Sequence, residues 1–164
     1  MRDIMETSIN NRVAICLAYA DETRKYLEKE FSESEYKEAF QKFKKMIEMG
    51  KEWLAGKKIN WEDIYEMCND DEVEYGCFNF IAIYSLEEKY EVPANLLIWT
   101  LYYFTYQCAC DANERYFPQD LWDGYLPPED EKLNIDNLYK EAKQYLSSDI
   151  CEKLQLLEEK YRSE

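Results

Sequence analysis

Apolar positions recur along most of this chain every three or four residues, the spacing of a helix with one buried face. From Ser8 to Glu30, the residues Ile9, Val13, Cys16, Ala20 and Leu27 form such a stripe, with charges opposite. Ser32-Glu33-Ser34-Glu35 then matches a capping box, in which a hydroxyl and a carboxylate satisfy free N–H groups at a helix start. It opens a second segment striped by Tyr36, Phe40, Phe43, Ile47 and Leu54, which Gly56 can end. A short third segment follows. Asn60 is its N-cap, Asp63 its capping carboxylate, Ile59 and Ile64 its hydrophobic staple, and it stops near Cys68-Asn69.

The next two segments are apolar on most sides. Asp70-Asp71-Glu72-Val73-Glu74 places acids where the positive end of a helix dipole favours them, ahead of Cys77, Phe78, Phe80, Ile81, Ile83, Tyr84 and Leu86. Pro93 suits the first turn of a fifth helix, running from Ala94 to about Asn113. Two such helices in succession predict a hairpin at the centre of the fold, wrapped by amphipathic neighbours. Pro118 to Pro128 reads as a loop with room for one helical turn. Asn134 or Asp136 caps a sixth helix that turns Leu138, Ala142 and Tyr145 inward. Ser147-Ser148-Asp149 breaks it, and Ile150, Leu154, Leu157 and Tyr161 stripe a seventh. No stretch alternates with period two. The pattern predicts an all-α protein, a single-domain antiparallel helical bundle over residues 1–164 with a buried central helix pair.

Composition agrees, since 46 % hydrophobic and 34 % charged residues are globular proportions, and four Gly and four Pro leave few breaks. The uncharged run from Pro93 to Cys110 carries Asn95, Thr100, Thr105 and Gln107, which suits a buried helix of a bundle better than a membrane span. No export signal follows Met1-Arg2-Asp3, so the six Cys are expected to be reduced, buried thiols in the cytoplasm.

Charge changes the picture more. Between Ile59 and Glu131 stand 17 acids and two bases, Lys89 and Arg115, a balance of −15. That equals the net charge of the whole chain, because the flanks cancel. The same stretch holds 16 of the 26 aromatic residues. Such a segment is suited to a basic surface, carboxylates steering the encounter and rings anchoring it. Seven acids and no base lie between Trp61 and Tyr75: Glu62, Asp63, Glu66, Asp70, Asp71, Glu72 and Glu74. Trp61 and Tyr65 lie among them as expected anchors. Asp120, Trp122, Asp123 and Tyr125 form a second cluster in the Pro-bounded loop, where limited flexibility lowers the entropy lost on binding. A helical surface that crowds like charges loses a few tenths of a kcal/mol per pair, so such crowding points to a use.

Chemistry is constrained by what is missing. The chain has no His, which removes Ser-His-Asp and Cys-His arrangements and zinc-binding HExxH motifs. Neither GxxxxGK[ST] nor GxGxxG occurs. Asp111-Ala112-Asn113 starts like a calcium loop, but Arg115 occupies the third ligand position. No catalytic residue, cofactor or metal site is expected, and no nucleic acid partner either, because the lysines from Lys42 to Lys58 are interleaved with acids. Carboxylate pairs such as Glu62 and Glu66 leave a His-free metal enzyme as one rival reading.

In this character the chain resembles the immunity proteins of bacterial polymorphic-toxin and contact-dependent inhibition systems: small, acidic, helical and rich in Trp and Tyr. Colicin-nuclease immunity proteins carry Tyr-Tyr-Pro beside acids, whereas Tyr102-Tyr103 is followed here by Phe104, so the resemblance is not to that branch. It implies stoichiometric binding and masking of a cognate, basic toxin domain, often a nuclease. A DNA mimic or helical adaptor for another basic protein fits the same charge pattern, and the oligomeric state stays open.

Overall fold

The computed structural model describes residues 2–32, 36–69 and 87–164. Six α-helices lie within them: α1 (Ile9–Glu30), α2 (Lys37–Leu54), α3 (Trp61–Cys68), α4 (Glu91–Asp111), α5 (Pro128–Ala142) and α6 (Ser148–Ser163). Three 3-10 turns, Ile4–Glu6, Glu88–Tyr90 and Gln119–Gly124, complete the elements, and there is no strand among the described residues. The protein is all-α, as expected. The fourth predicted segment, residues 33–35 of the capping box, and Asp70, Asp71, Glu72 and Glu74 fall outside the described residues.

Local signals set most boundaries. Ser8 and Ser147 cap α1 and α6 by accepting from the Asn11 and Ile150 N–H groups. Asn60 caps α3 by accepting from Glu62 N at 3.2 Å. At the end of α2, Gly56 N donates to Trp53 O and Lys57 N to Glu52 O, both within 3.1 Å, the paired bonds of a Schellman stop. The Gly56 φ of +93° is what that stop requires.

The sixth predicted helix needs correction. It begins at Pro128, not beside Asn134 or Asp136. Pro128 supplies the fixed φ of a first helical residue, and Glu129, Asp130 and Glu131 place three acids in the opening turn. Asn134 lies inside the helix and donates to Asp130 O. Two apolar stripes are also corrected. Ile9 is exposed, and α6 buries Cys151, Leu154, Glu158 and Arg162 as its inner face.

Helix α4 is buried on nearly all sides, as its apolar run predicts, and packs most extensively on α1. Thr100 and Thr105 enter this core because their hydroxyls donate to carbonyls one turn back, Leu96 and Leu97 for Thr100 and Leu101 for Thr105. Tyr19, Tyr103, Phe40, Phe43 and Phe104 are its largest fully buried side chains, each contributing about 1.5–3 kcal/mol by leaving water. Two carboxylates are buried with them. Glu131 accepts from Tyr103 Oη at 2.6 Å and pairs with Arg12 at 2.9 Å. Glu158 accepts from Tyr19 Oη at 2.8 Å and from Arg162 at 2.7 Å. Arg162 also reaches Asp136 and the carbonyl of Arg2, tying the N-terminal turn to α5 and α6.

No helix among the described residues is long and apolar enough to cross a membrane. Cys16, Cys68, Cys108 and Cys151 are buried, whereas Cys110 is exposed. Burial pushes the Cys108 thiol up to about 11, far from the thiolate that reactive chemistry needs.

Candidate functional site

Two stretches 55 residues apart form the candidate face. Tyr65 Oη of α3 donates to Asp120 Oδ2 at 3.1 Å, joining the first acidic-aromatic cluster to the Pro-bounded loop. Burial, and then the Asp120 carboxylate, raise the Tyr65 phenol above its usual value, so it stays a hydrogen-bond donor.

Beneath this junction runs a chain of rings. Trp61 stacks on Phe117 with centroids 6.5 Å apart. Phe117 leans on Tyr106 at 5.8 Å, and Tyr106 meets Trp122 edge-on at 5.4 Å. The rings shape the loop. Tyr106 Oη donates to Gly124 O and accepts from Leu126 N, while Leu121 and Leu126 plug the core. Trp122 and Asp123 are held at φ of +56° and +50°, left-handed backbone that costs a side-chain-bearing residue about 1–2 kcal/mol. Such strain persists only where the surroundings over-determine it, and it gathers at functional sites.

The expected site residues separate into three groups. Glu62, Asp63, Glu66, Asp120 and Asp123 are exposed, and Tyr125 is 65 % exposed. Tyr65 and Trp122 are half-buried. Trp61 is not the exposed anchor that its place among the acids suggests. It is only 7 % exposed and supports the face from below, packed against Tyr65 and stacked on Phe117. Among the described residues, none of the five exposed acids has a cationic partner; elsewhere Asp21 pairs with Lys51 and Arg24, and Asp136 with Lys132 and Arg162, while others such as Glu129 and Asp130 are unpaired as well.

Sequence reasoning missed a groove of about 310 Å³ between α4, the loop and α5, where Trp99, Tyr102, Trp122 and Glu141 come together. Trp99 was hidden in a run that reads as buried on every side, and Glu141 looks like any charged surface residue. A pocket of about 550 Å³ also opens at the end of α2, with Lys57, Lys58 and the α3 cap Asn60 in its wall. Among the described residues no three acids or thiols converge on a common point as a metal site would need.

The scaffold is all-helical, and this face sets carboxylates without a cation beside half-buried rings. The family model described as Immunity protein Imm6 matches residues 11–145, more than half of the chain, and the chain belongs to that family. Its members are immunity proteins, which neutralise a toxin. Comparison with curated proteins and with solved structures gave no match.

Proposed function

We propose that this protein neutralises a basic toxin domain by binding it one-to-one, without turnover, through the joined face of α3 and the 118–127 loop. The observation that carries this is the gathering of Glu62, Asp63, Glu66, Asp120 and Asp123 on two stretches that the Tyr65–Asp120 hydrogen bond joins, where among the described residues no ion pair reaches any of the five. Unpaired carboxylates on one face create a negative field that speeds the approach of a basic partner and repels nucleic acid phosphates. Tyr125 and the exposed parts of Tyr65 and Trp122 supply contact area once the partner has arrived. Family membership favours a toxin over the other basic proteins that a helical adaptor or DNA mimic would bind.

The test is stopped-flow association with the purified, catalytically inactivated cognate toxin domain. A Glu62→Lys, Asp63→Lys, Glu66→Lys, Asp123→Lys variant should associate at least about tenfold more slowly at low salt and show a flatter salt dependence. An association rate and salt slope equal to wild type would show that the partner docks elsewhere.

A further inference from the structure

The groove between α4, the loop and α5 contains a carboxylate that the chain leaves unanswered. Glu141 is half-buried, and among the described residues no hydrogen bond or ion pair reaches its carboxylate. The two fully buried acids among them are treated differently: Glu131 and Glu158 each hold an arginine. Burial raises the Glu141 carboxyl above its ordinary value, with no cation near enough to pull it back. Facing it across the groove are the rings of Trp99, Tyr102 and Trp122.

We infer that this groove receives one arginine side chain of the toxin domain, its guanidinium held against the indoles of Trp99 and Trp122 and paired with Glu141. The inference rests on the proposed function and names the anchor that the acidic face delivers. Charge complementarity selects the occupant. A neutral or anionic group would leave Glu141 desolvated and unpaired, whereas a cation both neutralises it and is attracted to the ring faces. Arginine fits better than lysine, because its flat, weakly hydrated guanidinium stacks on aromatics and its five donors need several acceptors. Asn134 has its NH₂ group committed to Asp130 O, which leaves its amide oxygen as an acceptor at the rim, and Asn95 adds a second amide. Trp122 shares its loop with Asp120 and Asp123, so the ring that lines the groove lies on the same short segment as two of the steering charges.

Nα-acetyl-arginine amide, with Nα-acetyl-norleucine amide as its uncharged counterpart, tests the groove in the whole protein. The ¹⁵N-indole signals of Trp99 and Trp122 are followed by NMR and assigned with Trp99→Phe and Trp122→Phe. The arginine probe should shift both signals saturably, and Glu141→Gln should weaken its binding at least about fivefold. Equal responses to the two probes, or unchanged binding in Glu141→Gln, would overturn the inference. In the complex, Glu141→Gln should release the cognate toxin domain about tenfold faster. An unchanged release rate would equally rule out a toxin arginine in the groove. Charge reversal on α3 and at Asp123 should leave the arginine titration as it is, so a failure of the wider reading appears in association rates alone.

Discussion

Two glutamates near the C-terminus meet opposite treatment. Glu158 is buried among a tyrosine hydroxyl and a guanidinium, and its charge is compensated. Glu141 is half-buried and uncompensated, and burial raises its carboxyl. A carboxyl that titrates higher in the folded than in the unfolded chain opposes folding when ionised. The penalty is complete above the folded value, shrinks as pH falls through it, and vanishes below the unfolded value of about 4.3. Glu141→Gln should therefore raise Tm at pH 7 by about 1–4 °C, and the gain should disappear near pH 3.5 in parallel calorimetric scans. The opposite sign holds for Asp136. Burial pushes its carboxyl up, but the hydrogen bonds and charges of Arg162 and Lys132 outweigh that and hold it below the usual range. Its contribution is present at neutral pH and is lost as pH falls through the folded value.

Among the elements, the helices were legible and the loop between α4 and α5 was only partly so. The start of α3 was legible because its N-cap is local: Asn60 accepts from Glu62 N as expected, although among the described residues no hydrogen bond reaches the Asp63 carboxylate that was expected to complete the box. The start of α5 was misplaced although its signals were local, since Pro127-Pro128 also suits the end of a loop. What the loop does with Trp122 depends on Tyr106 and Phe117, which no spacing rule connects to it. Gly124 tests that dependence. Its φ is +84°, and a Cβ there would lie 2.7 Å from the ring of Phe117, which Trp61 and Tyr106 hold in place. Gly124→Ala should cost about 1–2 kcal/mol of stability in urea unfolding, from left-handed strain and the displaced ring together. A change of only a few tenths would mean that Phe117 yields easily.

At the scale of the molecule, the two buried carboxylates join parts of the chain that sequence cannot bring together. Arg12 and Glu131 are 119 residues apart, and Tyr19 and Glu158 are 139 apart. Only the i,i+4 pair Glu158 and Arg162 was visible in principle, and an apolar stripe through Ile150 and Leu157 was the simpler reading of that helix. Removing one partner of a buried pair leaves a charge that nothing else neutralises. Arg162→Met should destabilise the protein by about 3 kcal/mol and speed amide exchange in α6 and the N-terminal turn together. Faster exchange in α6 alone would show that the N-terminal turn is held independently, by Arg12.

The 118–127 loop separates what holds it from what it displays. Leu121, Leu126 and the Gly124 backbone face inward and fix its path, while Asp123 and Tyr125 point away from everything that does so. Tyr125 can be replaced by almost any side chain, and Asp123 by Asn or Gly, the residues most tolerant of left-handed backbone, with little effect on folding. The outward residues can thus change without disturbing what holds the loop in its path, so display and support are separable within ten residues of chain.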